Sequence, residues 1–451
     1  MRSTSSSSDL RPSLWRVLPG VALIAIAACS RSSDGVRPAP PGDPRAITGD
    51  AARPAGDAAV ARPKAIALAL GVDHSCALLA DGAVRCWGKG EHGRLGLGDA
   101  LDLGDDEPPW RRPPIDLGGN ALAISAGTAH TCALLDGGRL RCWGRGRSGQ
   151  LGYGRRDDLG DDETPAKAGD VPVGEPVLAV AAGGDATCAL LAGDRIRCWG
   201  DNREGRLGFG SARHDDVGDD EPASAAVPFR FARAVRQLAA SAAASCVLLD
   251  DGAVQCWGSL LGSEDDPAVA VTTPPVDVGA PVTALALPAT GRGGCVITSA
   301  GRARCWGDSV ALGLAFPDRD DDAIGVHTDM MTSPAEVGDL PLPAGVLDVR
   351  IAGDHGCARF ADAIRCWGER RRGQLGGPPG DAVVARDAIA VDLGARPVAM
   401  AVASFHACAI TDAGGVRCWG AGEHGRLGHG STANLGDAGS PAAAGDVPIA
   451  P

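Results

Sequence analysis

Cys76 and Cys86 stand ten residues apart, and the spacing recurs down the chain in Cys132 and Cys142, Cys188 and Cys198, Cys246 and Cys256, Cys295 and Cys305, and Cys408 and Cys418. Cys357 and Cys366 are nine apart, and each second cysteine opens a Cys-Trp-Gly triplet. Thiols so paired either bond to each other, hold a metal or stay reduced and buried. Cys-x9-Cys is not a usual zinc spacing. Centring the first copy on Asp81 sets Cys76 opposite Cys86 and Leu78 opposite Val84, with Ala80-Asp81-Gly82 as a hairpin loop whose glycine takes the positive φ such loops require. In the sixth copy Ala361-Asp362 makes a shorter turn, and Cys357 still faces Cys366. Opposed residues of a non-hydrogen-bonded antiparallel pair approach closely enough for a disulfide. The spacing therefore predicts seven cross-strand disulfides, each closing a short loop worth roughly 2–3 kcal/mol.

Three further sets of side chains are candidates for chemistry. The first is acidic: Asp102-Leu-Gly-Asp105-Asp106-Glu107, Asp158-Leu-Gly-Asp161-Asp162-Glu163 and Asp216-Val-Gly-Asp219-Asp220-Glu221, with a remnant at Asn434-Leu-Gly-Asp437 and a further acidic stretch at Asp318-Arg-Asp-Asp-Asp322. Such carboxylates either ligate calcium through oxygen or cap the backbone of a turn, and they lack the spacing of an EF-hand. The second set is His74, His130, His355 and His406, replaced by Ala186, Ala244 and Gly293 in the other copies. So patchy a set reads as inner-strand histidines bonding to backbone near a central channel. The third is Arg85, Arg141, Arg197, Arg304, Arg365 and Arg417, with Gln255 in the fourth copy. Each arginine shares a strand face with its Trp, so it reads as stacked on or beside the indole, with an anion-binding ring as the alternative. No nucleophile elbow, phosphate loop or His-Glu-x-x-His occurs.

The elements that position these groups repeat every fifty to sixty residues. A short apolar strand precedes each hairpin, a glycine-punctuated loop follows Trp-Gly, and a Pro-rich return leads to a last short strand. Strands in fours at this period predict an all-β chain: a seven-bladed β-propeller of four-stranded blades over residues 64–451, with one cross-strand disulfide per blade. The terminal Asp446-Val-Pro-Ile449 resembles a return segment, and we expect it to complete blade one and close the ring.

Before the repeats, residues 1–28 read as an export signal of lipoprotein type, with an arginine-containing start, an apolar run at 17–28 and Cys29 after small residues. Cys29 is the cysteine left over after fourteen pair, which favours lipidation there over a plain signal. Residues 29–63 are a tether rich in Pro, Ala, Ser and Gly, spanning on the order of 30 Å as a coil. Export places the cysteines where disulfides persist. The net charge of −13 opposes nucleic-acid binding.

The order Gly71-Val-Asp-His-Ser-Cys, then Asp-Gly-Ala-Val-Arg-Cys-Trp-Gly, then Gly93-Arg-Leu-Gly-Leu-Gly98 resembles the regulator of chromosome condensation repeat family, over residues 64–451. The resemblance implies a seven-bladed propeller that works by binding. Secreted bacterial members include a β-lactamase inhibitor protein, whereas the nuclear founder is a guanine-nucleotide exchange factor. Blades four and five depart from the Gly-[Arg/Gln]-Leu-Gly form. The expectation is a non-catalytic scaffold for a protein partner, monomeric, without cofactor unless the acidic loops take calcium, and held by its N-terminal lipid in a bacterial envelope. Blades four and five and the acidic arc are the expected binding face. The alternatives are an exchange factor and a carbohydrate-binding or carbohydrate-active propeller.

Overall fold

The computed structural model describes residues 63–209, 215–259, 274–291, 293–307, 333–437 and 439–450. The signal and almost all of the tether, Cys29, Asp318–Asp322 and most of the loops after Trp257 and Trp306 lie outside them. The described strands form seven antiparallel sheets of three or four strands. Blade one is Ala65–Leu70, His74–Leu79 and Val84–Gly88. The first strands of successive blades contact one another around the whole circle, the last against the first, and so line a central channel.

Hairpin register follows from the cysteines. Cys76 lies opposite Cys86, and the other six pairs are likewise directly opposed. All seven disulfides form, with Cα atoms 4.0–4.1 Å apart. Ala83 N–H bonds to Asp81 Oδ1 at 3.0 Å, and Gly82 takes φ 85° at the loop. The shorter sixth hairpin closes through Phe360 N–H to Ala363 O at 2.8 Å. The middle strand of every blade is buried along its length, so the core is a ring of disulfides, aliphatic residues and Trp indoles between sheets.

The fourth strand is weaker than the repeat suggests. Among the described residues, only Phe229–Arg230 and Ile389–Ala390 form one. Elsewhere the return segment makes single backbone bonds, as Ile115 N to Val84 O (2.9 Å) and Val171 N to Leu140 O (2.8 Å). Proline is the physical cause: Pro114, Pro172, Pro275, Pro341 and Pro448 interrupt these segments, and a residue without N–H cannot extend a ladder. The C-terminal segment also differs from expectation. Val447 N donates to Val416 O at 2.7 Å, so the segment completes blade seven, while blade one uses its own return at Ile115. Each blade is therefore contiguous in sequence, and the ring closes by contacts of the kind found at other junctions, including Ala65 N to Gly414 O at 3.0 Å.

Two irregularities break the repeat. In six blades the inner strand carries a bulge, after which stand Ala67, Ala123, Ala179, Gln237, Ala284 and Ala399. In blade five the chain between Ala286 and Gly294 is long enough to reach other blades: Ala289 O accepts from Gly184 N at 2.8 Å, and Thr290 Oγ1 lies 2.5 Å from Ser404 Oγ.

Removing one bridge, with Cys132→Ala and Cys142→Ala together, should cost about 2–3 kcal/mol in denaturant unfolding while leaving the circular dichroism of the fold unchanged.

Candidate functional site

A buried lock recurs between blades and fixes where the rim loops stand. The indole N–H of five Trp residues crosses to a carbonyl of the preceding blade: Trp87 to Arg426 O (3.0 Å), Trp143 to Arg94 O (3.1 Å), Trp199 to Gln150 O (3.1 Å), Trp257 to Arg206 O (2.9 Å) and Trp419 to Gln374 O (3.0 Å). These acceptors are the second residues of the Gly-[Arg/Gln]-Leu-Gly loops. The hydroxyls of Ser75 and Thr187 donate to the same carbonyls, of Arg426 and Gln150, at 2.9 Å.

The histidines belong to this lock. His74 Nε2 lies 2.8 Å from Thr131 Oγ1, His130 Nε2 3.0 Å from Thr187 Oγ1, and His406 Nε2 2.8 Å from Ser75 Oγ. The expected backbone partner is therefore replaced by a hydroxyl of the next blade, because the middle strands of neighbouring blades face each other. His355 finds no such hydroxyl, since Ala407 occupies the matching position, and both its ring nitrogens are unpartnered among the described residues. Burial drives these imidazoles down, to about 3 for His74 (aided by Arg94) and to about 4 for His130 and His355, with His406 also well below its usual value. They are neutral at physiological pH and structural in role.

The strand arginines do not stack on the indoles. Arg85 Nη1 donates to Pro109 O (3.2 Å), Arg141 Nη1 to Pro165 O (2.8 Å) and Arg304 Nη1 to Val278 O (2.6 Å), and the guanidinium groups of Arg197 and Arg417 reach Val173 O and Leu393 O. The acceptors are carbonyls at the short loop helices, Pro109 and Pro165, and in return segments, Val173, Val278 and Leu393.

The acidic loops divide into two functions. Asp102, Asp158 and Asp216 cap their own blade's loop, accepting from Gly90 N (2.8 Å), Gly146 N (2.9 Å) and Asn202 N (3.1 Å). Two of them also hold a histidine of the preceding blade, His424 to Asp102 at 2.9 Å and His92 to Asp158 at 2.7 Å. A glycine two positions on explains the interlock. Gly160 has φ 96°, and a Cβ there would sit 2.5 Å from Gly93 O, so only glycine lets the two loops nest. Of the remaining acids, Asp106, Asp162 and Asp220 are exposed, Asp219 is buried and the others are half-buried. Carboxylate oxygens of Asp161, Asp162 and Glu163 converge within 4.8 Å, as do those of Asp219, Asp220 and Glu221; Asp105, Asp106 and Glu107 do not form such a cluster. Burial, then the neighbouring Asp162, pushes the Glu163 carboxyl up to about 7, and burial with Asp220 does the same to Glu221. Arg156 reaches across to Asp219.

A pocket of about 360 Å³ opens between blades two, three and four under the long turn of blade five, lined by Thr128, Asp185, Arg203, Arg206, Ala242 and Gly291 among others. Among the described residues that line it, Asp185 is the one carboxylate. Neither the hydroxyl partners nor the interlocked glycines belong to the sequence-based expectation, although Ser or Thr directly before the first cysteine of blades one to four is an available signal. Among the described residues no helix is long and apolar enough to cross a membrane.

Below the usual imidazole value of 6.5 the unfolded chain takes up protons that the buried histidines refuse, so stability is full above that pH and is lost as pH falls toward 4. His355→Leu removes one such group. Relative to wild type, the variant should gain on the order of 3 kcal/mol between pH 7 and pH 4 in parallel urea melts.

Comparison with known proteins agrees with this architecture. Two sequence profiles, both described as regulator of chromosome condensation (RCC1) repeat, match residues 65–94, 122–150, 177–206 and 398–426 and residues 81–134 and 137–190. The chain is 32% identical over 207 residues to the ultraviolet-B receptor UVR8 of Arabidopsis thaliana, covering 45% of this chain and 44% of the receptor. It is 35% identical over 141 residues to the human E3 ubiquitin-protein ligase HERC2, covering 31% of this chain and 3% of the ligase. The matches thus span less than half of either relative. Among solved structures, yeast RCC1 (Prp20) bound to Kap60 superposes with a TM-score of 0.62 at 19% identity, covering 88% of this chain and 90% of that one. Human WBSCR16 superposes with a TM-score of 0.58 at 18% identity, covering 77% and 91%. With its in-phase repeats and its seven antiparallel sheets, this chain carries regulator of chromosome condensation (RCC1) repeats over residues 65–206 and 398–426 and shares the propeller fold of yeast RCC1.

Proposed function

We propose that the protein is a non-catalytic scaffold that binds another protein outside the cytoplasm while held to a membrane by lipid on Cys29. The observation that carries the binding role is the rim. Its loops interlock across blades on a disulfide-bonded frame and present outward carboxylates at fixed positions, while the buried histidines are neutral and committed to the lock. A rigid frame lowers the ordering cost of binding. The family supports this reading, since its propellers are generally protein-interaction scaffolds. Prp20p of Saccharomyces cerevisiae, a structural neighbour, has binding properties toward Gsp1p and histones, and those belong to that protein. The leader sequence and the seven disulfides support export, because such bonds persist in oxidising compartments.

The partner surface that suits the arc over blades one to three is basic. Calcium is narrowed by the same geometry to the triads at Asp161–Glu163 and Asp219–Glu221. A rise in Tm with calcium that Glu163→Gln and Glu221→Gln together abolish would support it, and no rise removes it from the proposal.

Two measurements test the main reading. Cys29→Ser should move the protein from the membrane to the soluble extracytoplasmic fraction, and retention in the membrane would overturn the lipid anchor. Neutralising Asp106, Asp162 and Asp220 together should weaken capture of the partner at least about tenfold and flatten its salt dependence. Unchanged capture and salt dependence would move the binding face away from the acidic arc.

A further inference from the structure

The buried lock is not uniform around the ring. It is complete where blade seven meets one and blade two meets three, with a histidine on a hydroxyl, that hydroxyl on a loop carbonyl and an indole on the same carbonyl. Between blades four and five the histidine and the hydroxyl are both absent, and the blade-four loop after Ser259 lies outside the described residues. Blade four has Ala244 where the histidine stands, and blade five has Gly294 where the hydroxyl stands. Trp306 Nε1 is buried without a partner there. The glycine is enforced locally: a Cβ at Gly294 would lie 2.7 Å from Trp306 Cζ2 and 2.5 Å from Leu287 Cδ2, so the indole and the blade-five turn occupy the space a Ser or Thr would need.

At the same junction stands a polar side chain that the other bulged blades lack. Gln237 occupies the position after the bulge that is alanine in the five others. Its amide faces the inner strand of blade five and pairs with both backbone groups of one residue, donating from Nε2 to Leu285 O and accepting from Leu285 N at 3.0 Å. The outer edge keeps ordinary bonds, Ala335 N to Asp277 O at 3.1 Å and Arg304 Nη1 to Val278 O at 2.6 Å. Among the described residues, the middle of the interface carries no bond of the lock.

We infer that Gln237 is a latch that helps to close the ring at a seam between blades four and five. The amide replaces, at the channel, the hydrogen bonds that the complete junctions place in mid-blade. At those junctions an inner-edge bond is one tie among several. Here Val282 N donates to Gly252 O at 3.1 Å where the inner strand begins, and along the strand the side-chain tie is Gln237 alone among the described residues.

Hydrogen–deuterium exchange on the full, disulfide-intact chain tests this. Gln237→Ala introduces the residue that five blades already carry, so the variant has no reason to misfold. It should speed exchange of the amides in Ala244–Leu249 and Gly294–Thr298 on the order of tenfold, because opening of that junction then costs less. Ser125→Ala is the control. It removes a similar inner-edge bond, from Ala182 N to Ser125 Oγ at 2.9 Å, at the junction of blades two and three where the lock is complete, and it should leave the strands there within about threefold of wild type. Equal effects of the two variants, or no change at blades four and five in Gln237→Ala, would overturn the latch.

Discussion

One carbonyl oxygen at each of five junctions sets the geometry of this propeller. In the Gly-[Arg/Gln]-Leu-Gly loop, the carbonyl of the second residue points away from its own sheet and into the next, where an indole N–H meets it in a fully buried setting. A buried indole N–H without an acceptor is costly, and so is a buried carbonyl without a donor. Each such loop is therefore shaped by the blade that follows, and each Trp is placed by the blade before. The glycines on either side of the acceptor allow the turn, and the acidic loop of the next blade nests over it through a glycine of its own. Rim geometry is thus a property of junctions rather than of single blades.

That dependence explains how an acidic surface is tolerated. Three of the rim aspartates spend their charge on backbone amides and, in two cases, on histidines of the neighbouring blade. The acids that follow are less committed, and burial, then the neighbouring Asp162, raises the Glu163 carboxyl to about 7.

Repeat number, hairpin register, the seven disulfides and the propeller itself are legible in sequence because they rest on spacing and period. Cys76 must oppose Cys86 once a turn is placed at Asp81, and the one-residue deletion at Ala361-Asp362 keeps that register. What is not legible depends on neighbours distant in sequence. His74 meets Thr131 across 57 residues, and nothing local distinguishes that partner from a backbone carbonyl. Strand alternation puts each arginine on the face of its indole, but the carbonyls of Pro109 and Pro165 that draw the guanidinium groups away lie beyond the strand. The return strands look stronger in sequence than they are, because their apolar residues are conspicuous and the prolines between them act only as missing donors. Blade closure misleads for a related reason: Asp446-Val-Pro-Ile449 looks like other return segments, and its place depends on which strand already has a partner. The lipid anchor and nearly all of the tether lie outside the described residues and stand as proposals.

The cysteine spacing also bears on how so many thiols find their partners. Each bridge joins residues nine or ten apart, whereas the nearest cysteine of another blade is several times farther along the chain. Short loops close with less entropy loss than long ones, so the correct partner of every thiol is also the one most often within reach. A chain emerging from its N-terminus can oxidise one hairpin at a time, with each pair used up before the next arrives. Fourteen cysteines then behave as seven independent two-cysteine problems, and the native pairing needs little reshuffling. The ring can assemble from hairpins whose register is already covalently set.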